Sequence, residues 1–418
     1  MRFEEIDIDV FRKHVAELTN QELCQMYDKS PRSMRRWKQR LREHDEKLYS
    51  YDEDIEAKLS ATYDVTSDDK KKIHYLEKQV NVLKSSLKEA REHIHTSDDI
   101  KNLIMGVDDY KYTSKKLPDL NKLNKKVNGV PVLMLSDLHY GEVVNPPEVG
   151  NVNKYNSEIA EARINYVVDS AIRIVKKDWT AYTTEWFVLP LVGDMLSGSI
   201  HDELAESNDK RILPSMLELT DILIHQIEKL KTNFSKIYVP CVVGNHGRLH
   251  RKFRAKGQVQ ENYEYVIYKL VEKHYINDKN VVVQVSESPD MRFDIFEKRF
   301  LLTHGNTLGG GGGGIAGILP LLYRGNYKKQ ERAASIKNGY DTMLIGHFHQ
   351  SLFLGKVIVN GTTKGVDEYA LNLLNIPFEA PSQNLFMVDR NYNDITYRLP
   401  VFCEESDKLK VEHTIKTY

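Results

Sequence analysis

The chain has 418 residues, enough for two or three domains with a substantial core. Its 59 lysines and arginines nearly balance 60 aspartates and glutamates, a formal net charge of −1, so no global basic field announces nucleic acid and any such signal must be local. Cys24, Cys241 and Cys403 are too few and too scattered for a disulfide framework, the N-terminus lacks an apolar run, and no stretch approaches the roughly 18 apolar residues of a membrane span; the chain reads as soluble, cytoplasmic and reduced, with no membrane partner.

Residues 1–50 predict a small all-α unit. Thr19 or Asn20 can cap a helix with Glu22 in its first turn, placing Leu23, Met26 and Tyr27 on one face. A break at 28–30 follows, and Pro31 suits the first turn of a second helix through Arg42. This helix carries Arg32, Arg35, Arg36, Lys38, Arg40 and Arg42 around Met34, Trp37 and Leu41. The pattern resembles a helix-turn-helix, whose second helix enters a major groove so that basic groups meet phosphates and base edges. DNA is the expected partner, contacted by Arg32, Arg35, Arg36, Lys38 and Arg40. The alternative is a helical docking domain whose arginines are only solvated.

Residues 51–128 read as a linker around one long helix. After an acidic connector, Ile73, Leu76, Val80, Leu83, Leu87, Ala90 and Ile94 alternate spacings of three and four, an a/d seam with lysines and glutamates on the other faces. Over 70–96 the seam predicts a parallel two-stranded coiled coil and hence a homodimer, with two helix-turn-helix units on adjacent half-sites. One amphipathic helix packed on its own domain is the alternative for so short a seam. A polar stretch broken by Pro118 leads onward.

Residues 129–402 alternate apolar strands with helical patterns, and 403–418 form a tail. Runs at 132–136, 187–192, 237–243, 300–303 and 343–345 read as buried strands. Helical patterns at 156–177, 212–231 and 261–275 read as crossovers, making the early half βαβ in character. The later half shortens into strand pairs: 291–296 with 300–303 across a turn at 297–299, then 352–360, 384–389 and 395–399. The sum is an α/β fold, a two-sheet sandwich flanked by helices.

Most of the motifs follow such a strand: Asp137-Leu138-His139, Gly193-Asp194, Gly244-Asn245-His246, His304, and Gly346-His347-Phe348-His349. The carboxyl ends of strands in an open α/β sheet share one edge, so ligands far apart in sequence can converge there. A Zn, Mn or Fe ion takes about four to six mixed imidazole and carboxylate ligands, and a carboxylate can bridge two ions. These side chains suffice for two ions, and suit Mn, Fe or Zn better than Ca. A lone histidine at a strand end is more often a hydrogen-bonded surface or core residue; five blocks after strands make the signal.

The order D-x-H, G-D, G-N-H, H, G-H-x-H resembles the calcineurin-like metallophosphoesterase superfamily, over roughly residues 130–400. The resemblance implies a metallophosphoesterase sandwich in which Asp137, His139 and His349 hold one divalent metal, Asn245, His304 and His347 a second, and Asp194 bridges them. Manganese is favoured, with iron and zinc as alternatives. It implies in-line attack by a metal-bridging hydroxide, and His246 resembles the family's catalytic histidine, an imidazolium that stabilises developing charge or protonates the leaving oxygen. Two positions depart from the family's pattern. Many members place an aspartate three residues after the bridging one, paired with the catalytic histidine; here Ser197 stands there. Many follow G-N-H with Asp or Glu; here it is Gly247. Without a carboxylate partner a histidine is less readily protonated at neutral pH, so His246 is oriented by Ser197 or by another group, such as His201 or Asp202.

Two loops bear on substrate choice. Arg248, His250, Arg251, Lys252, Arg254 and Lys256, with Phe253 among them, form a basic strip suited to a polyanionic substrate; basic residues solvating a helix start are the alternative. Gly309 to Gly314 predict a mobile flap, or simply a spacer, and lack the Lys-Ser/Thr of a Walker motif. The expected function is a dinuclear-metal DNA phosphodiesterase or nuclease with a DNA-binding, dimerising arm. The alternatives are a phosphomonoesterase acting on protein or nucleotide, and a DNA-binding regulator with a weakly active phosphoesterase fold.

Overall fold

The computed structural model describes residues 11, 14–15, 20–31, 33–34, 36–40, 117–200, 202–308, 317–373 and 378–405. The 70–96 seam, the glycines at 309–314, Arg32, Arg35, His201, the Asp202 side chain and the tail beyond 405 lie outside the described residues. The chain divides into two compact units, Met1–Tyr112 and Thr113–Tyr418. In the first, helix α1 spans Asn20–Met26. The helix leaves through Asp28 at φ 49°, and the described positions between 31 and 40 are helical again. The Ser30 hydroxyl accepts from the Ser33 N–H at 3.3 Å and so caps this second helix. Phe11, Leu23, Met34 and Trp37 form the buried core of the unit.

In the second unit the strands are β1 (Gly129–Leu133), β2 (Trp186–Val188), β3 (Lys236–Cys241), β4 (Val281–Val285), β5 (Asp290–Ile295) and β6 (Lys298–Thr303). Then come β7 (Thr342–Ile345), β8 (Leu352–Phe353), β9 (Val357–Val359), β10 (Ser382–Asp389) and β11 (Asp394–Phe402). They form a six-stranded sheet in the order β11-β10-β1-β2-β3-β4 and a five-stranded sheet in the order β5-β6-β7-β9-β8. The run β1 to β4 is parallel, as are β6, β7 and β9. The crossover helices are α2 (Ser157–Arg173), α4 (Ile212–Asn233) and α5 (Tyr263–His274), with a short α3 (Asp202–Ser207) ahead of α4, and α6 (Leu319–Ser335) joining β6 to β7. The fold is mixed α/β, and no helix among the described residues is long and apolar enough to cross a membrane.

Period-two alternation sends each strand to two cores. Val130, Val132 and Met134 meet Phe300, Leu302 and Leu344 between the sheets, while Leu301, Met343 and Ile345 pack with Leu322 and Ala333 of α6. Each such fully buried side chain contributes roughly 1.5–3 kcal/mol. Burial on both faces is why these strands read as continuous apolar runs.

Four elements differ from the sequence expectation. The 297–299 turn is tighter: Ile295 pairs with Lys298, and Phe296 takes φ 53°. The 352–360 run folds back on itself as the antiparallel pair β8 and β9. Strand β4, at one edge of the six-stranded sheet, is not among the expected strands although it is as long as β1. Helix α6 carries Gly325 and Asn326 mid-helix, which lowers its intrinsic preference. Both are nevertheless buried, and the Tyr340 hydroxyl donates to Asn326 Oδ1 at 2.8 Å.

Candidate metal centre

The parallel strands carry the polar blocks to one edge. Asp137 and His139 follow β1, Asp194 follows β2, Asn245 and His246 follow β3, His304 follows β6, and His347 and His349 follow β7. The loops are bonded to one another: the Asp137 N–H donates to the Gly193 carbonyl at 3.0 Å, His139 N–H to Asp194 carbonyl at 3.0 Å, and Gly346 N–H to His304 carbonyl at 3.1 Å. Asp137, His139, Asp194, His347 and His349 all have φ between 46° and 71°. L-residues avoid that region, and such strain persists at sites where the surroundings over-determine the backbone. Gly244 is fixed by close approach, since a Cβ there would lie 2.1 Å from Asp194 Oδ1.

Three groups of donor atoms converge, each within 4.8 Å: Asp137 with His139 and His349, His139 with Asp194 and His246, and Asp194 with His304 and His347. His139 Nε2 lies 3.0 Å from His349 Nε2, and Asp137 Oδ1 lies 3.4 Å from the same His349 nitrogen. On the other side, His304 Nε2 lies 3.0 Å from Asp194 Oδ2 and 3.2 Å from Asn245 Oδ1. Asp194 belongs to two of the three groups, with His139 and His246 in one and with His304 and His347 in the other. His246, set apart from the ligands in the sequence, lies beside them, with Nε2 4.0 Å from Asp194 Oδ2.

Ring orientation is set from behind. His304 Nδ1 donates to the Val192 carbonyl at 2.8 Å, which turns Nε2 toward Asp194. His246 Nδ1 donates to the Ser197 carbonyl at 2.9 Å. Ser197 thus orients His246 through its main chain, while its buried hydroxyl has no hydrogen-bond partner among the described residues.

Burial dominates the titration of these groups. It pushes His139 well below its ordinary value, with the Lys364 cation adding to the effect. His347 is pushed down to about 4 by burial and then by His304. For His304 burial opposes protonation, but the adjacent Asp194 carboxylate outweighs it and lifts the group to about 10. Burial alone would raise Asp194; His304 and then His246 hold it well below the usual carboxylate range.

Buried carboxylates, imidazole nitrogens facing one another and an amide oxygen form a donor set that fits divalent cations of the Mn, Fe and Zn kind. Asp137, His139, Asp194, Asn245, His304, His347 and His349 would hold them. Because His304 carries a proton at neutral pH, loading its Nε2 must release that proton. Cation affinity is therefore expected to rise with pH below about 10, up to tenfold per pH unit for one proton released. Calorimetric titration in buffers of different ionisation enthalpy reads that proton count directly.

Several supporting residues were not anticipated from the sequence. Glu264 of α5 is fully buried, accepts from the Met195 and Gly244 N–H groups at 2.7 Å each, and is pushed up to about 8 by burial and then by Asp194. Its position also explains Gly247: a Cβ there would fall 2.3 Å from Asn262 Oδ1 and 2.8 Å from Glu264 Cγ, so no carboxylate fits after His246. Below His139, Lys364 Nζ lies 2.8 Å from Glu142 Oε1 and bonds Asp367, while Glu142 Oε2 lies 3.4 Å from His139 Nδ1. The Ser136 hydroxyl donates to Asp137, and Asn360 Nδ2 donates to that hydroxyl at 2.9 Å. Thr362 donates to the Asp137 carbonyl at 2.7 Å. The polar run from Asn360 to Lys364 directly after an apolar strand was the available signal.

The basic strip is a loop and not a helix start, since α5 begins only at Tyr263. Arg248 braces it by donating to the His250 and Arg251 carbonyls at 2.9 and 2.8 Å. His250 Nε2 lies 3.0 Å from Glu261 Oε2, and Arg254 Nη1 lies 3.1 Å from the same imidazole nitrogen. Asn245, Arg248, Lys252, Phe253, Arg254 and Lys256 line one groove, and Arg251 is exposed on the same loop. In the N-terminal unit Arg36 and Arg40 are exposed and Lys38 is half-buried.

No family model and no curated protein matches the chain. Among solved structures it is similar to a single mutant of Vps29 from Entamoeba histolytica, at 12% identity over 65% of this chain and 98% of that one, with a TM-score of 0.24. It is also similar to a 5'-nucleotidase of Staphylococcus aureus, described as putative and solved with alpha-ketoglutarate, at 13% identity and a TM-score of 0.31. That match covers 66% of this chain, which spans about half (55%) of the nucleotidase chain. At such TM-scores neither likeness bears on function, which rests on the side chains.

Proposed function

We propose that the chain is a two-metal phosphodiesterase acting on DNA, with a two-sheet metallophosphoesterase sandwich as its catalytic unit. The convergence of Asp137, His139, Asp194, His304, His347 and His349 beside His246 at one sheet edge carries this reading. When bound, two divalent cations supply Lewis-acid polarisation of a phosphoryl group and a water of lowered pKa. Asp194 is suited to lie between them: Oδ1 is fixed by the His246 N–H at 2.8 Å, leaving Oδ2 turned toward His304. His246 is held through Nδ1 by the Ser197 carbonyl and presents Nε2 to the cluster, where as imidazolium it gives its proton to the leaving oxygen. A carbonyl orients the ring as an aspartate would but contributes a dipole in place of a full charge.

The cationic groove that includes Asn245 supports a polyanionic substrate over a small monoester. The N-terminal unit, with Arg36, Lys38 and Arg40, belongs to the same proposal as a duplex-binding module, and the 70–96 seam as the element that pairs two copies. Purified protein with Mn²⁺ is expected to hydrolyse bis(p-nitrophenyl) phosphate and labelled DNA. His246→Ala is expected to lower turnover of labelled DNA, whose alkoxide leaving group needs the proton, by about 10²- to 10⁴-fold without changing bound metal. Turnover of p-nitrophenyl phosphate with both diesters intact would replace this reading by a phosphomonoesterase, and an unimpaired His246→Ala variant would remove His246 as the acid.

A further inference from the structure

Phe253 is 56% exposed, a large aromatic set between Arg251-Lys252 and Arg254. A lone exposed aromatic needs no explanation. This one lines the same groove as Lys252, Arg254 and Lys256, and Asn245, from the candidate metal centre, lines that groove as well. Glu261 is the carboxylate of the groove, and it is engaged by His250 at 3.0 Å and approached by Arg254 at 3.9 Å. Arg248, through its two bonds to loop carbonyls, holds the segment in shape. An apolar ring face set among lysines and arginines has the two components that bind a single strand, a stacking platform for a base and cations for the flanking phosphates. A paired base keeps both faces inside its own stack and offers neither to Phe253.

We propose that this groove is a subsite for unpaired DNA next to the reacting phosphate, in which Phe253 stacks on one base while Lys252, Arg254 and Lys256 take the backbone. It rests on the phosphodiesterase reading and narrows it: the strand entering the centre is single, so duplex is cleaved only where it is open.

The test is fluorescence-anisotropy binding by the full chain in chelator, so that no turnover intervenes, of a labelled oligothymidylate and of an abasic backbone of equal length. Phe253→Ala is expected to weaken oligothymidylate binding by about 5- to 150-fold and to leave the abasic probe unchanged, with Phe253→Trp restoring the loss. Lys252→Ala and Lys256→Ala are expected to weaken both probes alike and each to reduce the salt slope by about one. Equal effects of Phe253→Ala on both probes, or no effect on either, would overturn the subsite. Wild-type hydrolysis of bis(p-nitrophenyl) phosphate with Mn²⁺ is scored separately: its absence with the stacking signature present would sink the phosphodiesterase reading and leave a strand-binding groove.

Discussion

Asp194→Asn is expected to lower diester hydrolysis by on the order of 10³-fold while the protein stays folded. The substitution preserves shape and one bond: an amide oxygen can still accept from the His246 N–H, as Asp194 Oδ1 does at 2.8 Å. The amide nitrogen then faces His304 Nε2, 3.0 Å from where the carboxylate oxygen stood. His304 keeps its Nδ1 proton on the Val192 carbonyl, so as a neutral ring it accepts that amide donor. What disappears is the charge in the centre of the cluster, the one shared by the two donor groups. Elemental analysis should show reduced bound metal, circular dichroism should be unchanged, and hydrolysis should be lost. A variant with normal metal content and normal turnover would remove Asp194 from the bridging position.

Lys364→Met is expected to destabilise the second unit by about 3–5 kcal/mol, because removing one member of a buried charged network strands the others. Lys364 is 2% exposed and binds Glu142 at 2.8 Å and Asp367 at closer range, both of them buried. Burial alone would lower the lysine, but its two carboxylates more than offset that and hold it charged. At roughly 2–4 °C per kcal/mol for a unit of this size, the midpoint of thermal unfolding falls by on the order of 10 °C. Replacing all three, with Glu142→Leu and Asp367→Leu added, should recover much of that loss, since well-packed apolar substitutes for a buried ion network are often neutral. Metal affinity is the separate readout of the triple variant, because Glu142 Oε2 lies 3.4 Å from Nδ1 of the candidate ligand His139. Unfolding by Lys364→Met at the wild-type temperature would contradict the expectation.

Much of the fold is legible in the chain because its strands are buried on both faces. Val132, Phe187, Ile237, Phe300 and Met343 sit in apolar runs that a polar ligand residue ends, and those ends are where the parallel sheets turn over. Helix α6 escapes because it carries Gly325 and Asn326 through its middle. The supporting groups are harder for a different reason. Glu264 meets Gly244 from the next helix, and Lys364 meets Glu142 across 222 positions, so no local pattern joins them. One partner of His246 is a main-chain carbonyl, which no side-chain pattern can show. The serine at 197 departs from the pattern the sequence resembles, and its side chain gives no sign that its carbonyl holds His246.

The most direct measurement is diester hydrolysis by metal-stripped protein as Mn²⁺ is added back, with bound metal counted at each point. Activity should be negligible at zero, rise with loading and level off near two ions per chain, as a two-metal centre requires. A rate that is independent of Mn²⁺, or full loading with no hydrolysis of either bis(p-nitrophenyl) phosphate or DNA, would contradict the account.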